Sequence, residues 1–399
     1  MTAQWAAAPV DPEALDASLR PFGESTMLPS AAYTSDDVLA WEQRHLFAGT
    51  WPCLGRVHDL VTAGVTQRAV MVGDISVLLT FADGHVRAYA NTCRHRGHEL
   101  LQNSSSAKVV QCPYHSWVYG LDGSLRAAPG FREVKSFHRA DFALMELPCR
   151  TWHGWVFVNA TADAAPFAEY VGALAGIVAP YRTEALHLRA RHSYDVAANW
   201  KVICENYHEC YHCPQIHPEL CEVTPPASGD NYTLPGAWVG GSMDLRSETM
   251  SLTGRSAGIA LPGAPSDRVE YLGLVPNLFL SLHPDYVMAH RLVPLAPDRT
   301  WIECSWYFGS DDVDPSYAVE FWDLVNGQDW RACESVQRGL ASPHFRPGPF
   351  APNEDAVHRW ATMIGRAYRG IPPQRQESMT PPASDQSAPV VCSRSEAGS

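Results

Sequence analysis

The chain is short of basic residues, has no long apolar run and carries no orderly framework of cysteines. Its 30 Lys and Arg are outnumbered by 43 Asp and Glu, for a net charge of −13, so a broad basic surface for nucleic acid is not expected. The longest apolar run, 171–180, is far shorter than the ~20 residues that span a bilayer. Residues 1–10 lack the basic residues and apolar core of a secretory signal. These absences predict a soluble protein with neither membrane nor nucleic-acid partners.

The eleven cysteines are odd in number and scattered along the chain. A disulfide scaffold would need an even, regularly spaced set, so a reducing compartment fits better. We therefore predict a cytoplasmic location.

Composition along the chain indicates four segments. An arm with one short helix occupies 1–45, short strands with Asp-Gly turns occupy 46–160, and mixed strands and helices occupy 161–372. The tail, 373–399, is dominated by Ser, Pro, Gln and Ala and is predicted to be disordered.

Three helices are predicted in the third segment. The first covers 199–212 and ends before Pro214, because proline breaks a helix interior. The second begins at Asp314-Pro315 and continues through Leu340, and the third covers 353–368.

The first metal motif consists of Cys93-Arg94-His95 and Cys112-Pro113-Tyr114-His115. Two thiolates and two imidazoles could bind zinc. The alternative is a Rieske cluster, in which two Cys hold one iron and two His hold the other. The Asp-Gly turns at Asp83-Gly84 and Asp122-Gly123 favour hairpins whose tips would carry the two pairs.

The second metal motif places Glu209 three residues before His212, and His217 five residues after His212. In the predicted helix, Glu209 and His212 would lie one turn apart on one face. Two imidazoles and a carboxylate from elsewhere form the facial set of ligands found in non-haem Fe(II) enzymes.

Together, the two motifs resemble the α (terminal oxygenase) subunits of Rieske non-haem iron oxygenases, and the likeness extends over about 28–368. A Rieske ferredoxin has no use for the second motif, and respiratory-chain Rieske subunits carry an anchor and an extra disulfide. The resemblance implies an α+β protein: an all-β Rieske domain at 46–160, then a helix-grip (START-like) catalytic domain with a central antiparallel sheet at 161–372. The arm, 1–45, would pack on the catalytic domain.

The resemblance also implies the ligands of both centres. Cys93, His95, Cys112 and His115 would hold the 2Fe–2S cluster. His212, His217 and Asp329 would bind a mononuclear Fe(II), since the family's distant Asp precedes a segment similar to 335–339. Asp323 and Asp355 are rival acids near Asp329 in the sequence.

Glu209 is implied to act between subunits rather than as a ligand. In the family's head-to-tail homotrimer, a carboxylate joins His115 of one subunit to His212 of the next and passes electrons across the interface. Ligand histidines need such a partner on the free ring nitrogen. Most family members use Asp, whereas Glu209 is similar to the branch that acts on quaternary ammonium compounds.

The neighbours of these ligands are assigned plainer roles. His208 is expected to support the iron site without binding the metal. Cys210 and Cys213 lack a second cysteine pair to complete a zinc site, so they are predicted to be small buried hydrophobes.

The function implied is that of an oxygenase that takes electrons from NADH through a separate flavin and iron–sulfur reductase and uses O2. The segment 205–220 is most similar to choline, glycine betaine and proline betaine oxygenases, so hydroxylation or oxidative N-demethylation of a small quaternary ammonium compound is expected. Two alternatives stay open: hydroxylation of an aromatic or other small organic acid, and a Rieske electron-transfer protein. An aromatic cage would bind the cation; its candidate residues are Tyr207, Tyr232, Trp238, Phe279 and Trp306.

Overall fold

The computed structural model describes residues 5–373 of the 399-residue chain. The tail predicted at 373–399 lies outside the described residues, apart from its first position. The helices are α1 Pro12–Ser18, α2 Ala31–Thr34, α3 Asp36–Glu42, α4 Val57–Leu60, α5 Phe167–Val171, α6 Leu174–Val178, α7 Trp200–Tyr207, α8 Cys213–Ile216, α9 Pro218–Val223, α10 Ser316–Leu340 and α11 Asp355–Tyr368. Across residues 5–373, no helix is both long and apolar enough to cross a membrane.

The first part of the chain is a β-rich unit of three small antiparallel sheets. Its strands are β1 Cys53–Arg56, β2 Gln67–Val72, β3 Ile75–Ala82, β4 His85–Ala90, β5 Ser104–Ser105, β6 Val109–Gln111, β7 Val118–Gly120, β8 Leu125–Ala127, β9 Glu146–Leu147, β10 Cys149–Trp152 and β11 Trp155–Val158. The sheet orders are β1-β11-β10, β5-β2-β3-β4-β9 and β6-β7-β8. At the predicted turn between β3 and β4, Asp83 (φ 54°) and Gly84 (φ 74°) adopt the positive φ angles of a tight hairpin.

The second part is built on one seven-stranded antiparallel sheet. Its strands are β12 His187–Val196, β13 Asp230–Asn231, β14 Trp238–Asp244, β15 Arg268–Leu274, β16 Leu278–Leu282, β17 Tyr286–Ala296 and β18 Arg299–Phe308. Their order is β12-β18-β17-β16-β15-β14-β13. This sheet and the β-rich unit before it confirm the predicted α+β class.

Helices α7, α10 and α11 pack beside this sheet and bury its apolar residues. Trp200 of α7 and Trp360 of α11 are buried in one cluster together with Tyr33 from the N-terminal arm. The helix predicted after Asp314 is confirmed as α10, and Asp314 Oδ1 accepts a hydrogen bond from the backbone N–H of Ser316 at its start. The domain boundaries at 45, 160 and 372 stay predictions; β11 ends at 158 and α5 begins at 167.

The predicted helix over 199–212 is wrong at its C-terminal end. Helix α7 stops at Tyr207, and Pro214 lies in the first turn of α8 instead of ending α7. A proline is tolerated in a first turn because its missing N–H would have had no helical partner. The Glu209 carboxylate accepts the backbone N–H groups of Tyr211 and His212, which holds 208–212 as a loop before α8.

Candidate metal centres

Three predicted ligands converge between α8 and α10. His212 precedes α8, His217 follows it, and Asp329 lies in the middle of α10. The Nε2 atoms of the two histidines are 3.2 Å apart, and Asp329 Oδ1 lies 2.9 Å from His217 Nε2 and 3.4 Å from His212 Nε2. Residues separated by more than a hundred positions therefore direct three ligand atoms at one point.

The far side of each ring shows why this cluster suits a cation. His212 Nδ1 forms a hydrogen bond with Glu209 Oε1, and His217 Nδ1 forms one of 2.7 Å with Gln328 Oε1. Because those oxygens are acceptors, each ring carries a proton on Nδ1, so the Nε2 atom that faces Asp329 is the one that takes up positive charge or binds a metal ion. Three acceptors facing one another require a positive charge between them. Two imidazoles and one carboxylate fit a first-row divalent ion such as Fe(II).

The pKa of His212 reflects the same electrostatics. Burial lowers this pKa, but hydrogen bonds to Asp329 and Glu209 outweigh burial and raise it to about 10. The two carboxylates thus attract positive charge to this position.

The two rival acids lie elsewhere. Asp323 accepts hydrogen bonds from His192 Nδ1 and the Tyr194 hydroxyl, both 2.7 Å long. Asp355 accepts one of 2.6 Å from Asn231 Nδ2. Of the three acids weighed, the structure brings only Asp329 to the two histidines.

The four residues of the first motif also lie together, at the tips of two loops. Cys93 and Cys112 are buried, and the rings of His95 and His115 are 4.7 Å apart between centroids. His95 stacks on Trp117, and its Nδ1 is buried without a hydrogen-bond partner among the described residues. A buried, unpaired imidazole nitrogen beside two thiols fits a Rieske cluster, whose second iron takes two such nitrogens.

Tyr119 is a residue of this centre that the sequence analysis missed. Its hydroxyl accepts a hydrogen bond from the backbone N–H of Arg94 at 3.1 Å, so its own proton is free for Cys93 Sγ, 3.4 Å away. The tyrosine lies on β7, seven residues after Cys112, and only the folded hairpin places it against the other cysteine.

We expect Tyr119→Phe to lower the reduction potential of the cluster, because hydrogen bonds to the sulfurs stabilise the reduced state. A hydrogen bond of ~1 kcal/mol corresponds to roughly 40 mV for a one-electron couple. Redox titration followed by the cluster's absorption or EPR signal measures the shift. The control is Tyr114→Phe, whose hydroxyl is on an exposed ring. Equal potentials for both variants and the wild type would contradict the assignment.

Of the two histidines that Glu209 is predicted to join, His212 and His115, a single chain shows only the contact with His212 within residues 5–373. Glu209 forms a hydrogen bond with His212 and, among the described residues of a single chain, none with His115. The adjacent Tyr211 is 62% exposed, and Tyr114, which neighbours His115, is 53% exposed. Both surfaces that the bridge would join therefore carry an exposed tyrosine.

The prediction for Cys210 and Cys213 is wrong, because the structure joins them in a disulfide. Their Cα atoms lie 4.9 Å apart, inside the range of roughly 4.4–6.8 Å that a disulfide requires. A turn before α8, closed by a hydrogen bond from the backbone N–H of Cys213 to the carbonyl of Cys210, brings them together. Cys213 is buried, as predicted, and Cys210 is half-buried.

A cavity of about 470 Å³ opens onto the three converging ligands. Its wall includes three large aromatic rings and three acids, and no Lys or Arg lines it among the described residues. These residues are Tyr207, Tyr271, Trp322, Glu209, Asp329 and Asp355. The cavity thus combines ring faces with negative charge.

Only one of the five candidate cage residues lines this cavity. Tyr207 does, and Phe279 stacks on it with centroids 4.4 Å apart. Trp238 and Trp306 are buried in the core, and Tyr232 donates a hydrogen bond to Glu270. The other four therefore do not form a cage here.

Two aromatic residues of the wall, Trp322 and Tyr271, were not among those predicted from the sequence. Trp322 precedes Asp329 by seven residues on α10, so the helical period already places both on one face. Tyr271 lies on β15, and its position gave no such signal.

Comparison with known proteins agrees with both centres. The Rieske [2Fe-2S] domain model matches residues 50–138, and the ring hydroxylating alpha subunit (catalytic domain) model matches residues 183–370. The carnitine monooxygenase oxygenase subunit of Acinetobacter baumannii is 36% identical over 333 residues, covering 80% of this chain and 86% of that protein. The glycine betaine monooxygenase oxygenase subunit of Chromohalobacter salexigens is 28% identical over 371 residues, covering 81% of each.

Solved structures give the same fold. The quaternary ammonium Rieske monooxygenase CntA, in complex with gamma-butyrobetaine, aligns with a TM-score of 0.69 and 25% identity over 89% of this chain and 98% of that one. Naphthalene 1,2-dioxygenase from Rhodococcus sp. aligns with a TM-score of 0.67 and 16% identity, covering 92% and 98%.

Fold and site together define an oxygenase that uses a Rieske 2Fe–2S cluster and a mononuclear non-haem iron. The chain belongs to the family of Rieske ring-hydroxylating oxygenase α subunits, and its relatives include oxygenase subunits of quaternary ammonium monooxygenases. The match to the Rieske domain sets aside zinc binding at the first motif. The match to the catalytic domain sets aside a protein that only transfers electrons.

Proposed function

We propose that this protein is the terminal oxygenase that hydroxylates or oxidatively N-demethylates a small quaternary ammonium compound of the glycine betaine, choline or proline betaine type. The observation that carries the proposal is the cavity beside His212, His217 and Asp329, with its aromatic and acidic wall. The names of the relatives, which include glycine betaine and carnitine monooxygenases, support the same class of substrate.

The wall suits a cation that cannot donate hydrogen bonds. A trimethylammonium group is attracted by the faces of aromatic rings, by ~0.5–2 kcal/mol for each contact. Bound Fe(II) would offset two of the three carboxylate charges at the cavity, and with no Lys or Arg in its wall among residues 5–373 one negative charge is left to favour a cation. A simple aromatic acid, which carries only negative charge, would meet the same potential as a repulsion.

The chain's own residues prepare this site for the reaction. Iron bound by His212, His217 and Asp329 would supply the activation of O2. Glu209 and Gln328 hold the protons of the two histidines on Nδ1 and so fix both rings. The largely apolar cavity keeps the substrate's methyl groups beside the metal and away from bulk water.

Electrons would reach this site from a neighbouring subunit. In the proposed homotrimer, Glu209 joins His212 to His115 of the next chain. Within one chain, Glu209 forms a hydrogen bond with His212 and none with His115 among the residues described. A separate NADH-dependent flavin and iron–sulfur reductase would reduce the Rieske cluster. Such a system is expected in the cytoplasm.

The substrate class is tested by comparing two sets of compounds with the reduced, reductase-coupled oxygenase. With glycine betaine, choline, proline betaine or carnitine we expect O2 uptake in proportion to product, which is formaldehyde and the demethylated amine for N-demethylation and a product without formaldehyde for hydroxylation of a methylene carbon. If no quaternary ammonium compound gives product while aromatic acids drive coupled O2 uptake, the proposal is wrong and the enzyme hydroxylates organic acids.

We expect Tyr207→Leu to raise the KM for the quaternary ammonium substrate, by up to roughly 30-fold if one cation–ring contact of ~2 kcal/mol is lost. Tyr207→Phe is the matched control, since it keeps the ring and loses only the 2.9 Å hydrogen bond to Ser281 Oγ. Steady-state kinetics on variants with wild-type iron content measure both. A KM that rises equally in the two variants would show that the hydroxyl, rather than the ring face, matters.

A further inference from the structure

Two polar side chains in the cavity wall have no hydrogen-bond partner within residues 5–373. His208 is 6% exposed, and neither its Nδ1 nor its Nε2 forms a hydrogen bond among the described residues. The hydroxyl of Tyr271 is also buried and unpaired there. Both residues line the cavity that opens onto the iron ligands. Buried polar groups are nearly always paired, so two unpaired groups on one wall require an explanation.

The fold places His208 and Tyr271 on the same face of strand β15. His208 follows the last residue of α7, and its ring lies against Gly273 of β15, where any side chain would collide with Nε2. Tyr271 is two residues earlier on β15 and so projects from the same face of the strand. Both rings contact Tyr207, with centroid distances of 5.3 Å for His208 and 6.2 Å for Tyr271.

Both groups are neutral hydrogen-bond donors at physiological pH. Burial lowers the pKa of His208 to about 3, and the positive charge of Arg359 acts in the same direction. A neutral imidazole keeps one N–H to donate. Burial also raises the pKa of Tyr271, so its hydroxyl stays protonated.

The charge nearby decides which acceptor suits these donors. Arg359 lies close enough to act on His208, and its Nη1 is buried without a partner among the residues described. Asp355 of the cavity wall lies within electrostatic range of Arg359 and offsets part of its charge, but a guanidinium within range of His208 still favours an anionic oxygen over a neutral one as the acceptor. This part of the wall therefore differs from the acidic part formed by Glu209 and Asp329.

We propose that His208 and Tyr271 bind the carboxylate of a zwitterionic quaternary ammonium substrate and thereby select amino-acid betaines over choline. The inference rests on the proposed function and deepens it. Both donors would point at the substrate's carboxylate oxygens, while the ammonium group lies among the aromatic rings and acids. Choline carries a hydroxyl in place of the carboxylate and would lose most of this interaction.

The test compares glycine betaine with choline, using the full oxygenase with both metal centres loaded. Dissociation constants come from anaerobic calorimetry, and KM and kcat come from O2 uptake matched to the product formed from each substrate. The variants are Tyr271→Phe, which removes only an unpaired hydroxyl, His208→Leu, which removes the imidazole, and His208→Gln, which restores a donor. Iron content and the Rieske absorption spectrum establish that each variant is folded.

We expect Tyr271→Phe and His208→Leu each to raise the dissociation constant and KM for glycine betaine by roughly tenfold or more, as expected for a lost hydrogen bond to a charged group. Values for choline should change less than about twofold, and His208→Gln should recover part of the loss. Equal changes for both ligands, or none, would overturn the inference. Binding of choline without glycine betaine by the wild type would overturn it too, whereas binding of none of glycine betaine, choline, proline betaine and carnitine would overturn the proposed function as well.

Discussion

Replacing Asp329 by Ala is expected to remove the mononuclear iron and reduce turnover to background while the Rieske spectrum stays unchanged. Asp329 is the one anion among the three proposed ligands, and its carboxylate would offset the cost of moving a divalent cation from water into a buried site. Two neutral imidazoles alone bind a divalent ion much more weakly. The Rieske ligands lie on the loops of another unit and do not depend on α10.

Metal analysis provides the measurement for Asp329→Ala. Iron should fall by roughly one third, because the Rieske cluster holds two irons, while acid-labile sulfide stays constant. Asp323→Asn is the matched control: this acid lies on the same helix but is bound to His192 and Tyr194. Loss of iron from the Asp323 variant, or its retention by the Asp329 variant, would show that the ligand set is wrong.

Replacing Glu209 by Gln is expected to leave both metal centres loaded and to abolish coupled turnover. The carboxylate accepts three hydrogen bonds, from His212 Nδ1 and from the backbone N–H groups of Tyr211 and His212. An amide can replace one acceptor oxygen, but its NH2 group would face N–H donors or the imidazole of the next subunit. The charge that would hold the proposed bridge is lost while the volume stays the same.

Stopped-flow spectroscopy separates the steps for Glu209→Gln. Reduction of the Rieske cluster by the reductase should proceed as in the wild type, and its reoxidation by O2 in the presence of substrate should be slow. Glu222→Gln, an exposed acid on α9, is the control. Wild-type reoxidation in the Glu209 variant would exclude the residue from the electron path.

Electron transfer between subunits can be tested by mixing two inactive variants. Asp329→Ala chains lack the iron site, and Cys112→Ser chains lack the Rieske cluster, so each is inactive alone. If electrons cross between subunits, oligomers assembled from both chains should regain activity, because an intact cluster then neighbours an intact iron site. Mixed oligomers without activity would show that each chain reduces its own iron.

Local spacing in the sequence was sufficient to group most of the candidate metal-binding residues, and the resemblance to a family then supplied the kind of metal centre. Cys93 and His95, like Cys112 and His115, are close neighbours in the chain, and hairpin tips keep such residues together whatever surrounds them. The segment from Glu209 to His217 carries Glu209, His212 and His217 within nine positions. The two-residue period of Ile302, Cys304, Trp306 and Phe308 is likewise visible in the sequence, and all four side chains are buried in β18.

The tertiary structure alone decided how separate segments meet. The end of α7 depended on the hydrogen bonds of Glu209, which compete with helical ones and are invisible in residue periodicity. That same turn paired Cys210 with Cys213. Asp329 was chosen by resemblance, and only the packing of α10 across the sheet separates it from Asp323.

The residues of the cavity wall could not be predicted from the sequence. Sequence composition offered thirteen tryptophans and fifteen tyrosines, and nothing local distinguishes a ring that faces substrate from one that fills the core. Tyr271, Trp322 and His208 line the cavity because α7, β15 and α10 pack with particular faces inward. Ligand spacing is a property of neighbouring residues, whereas a cavity is formed by distant segments, so the sequence determined the metal chemistry and the packing determined what surrounds the substrate.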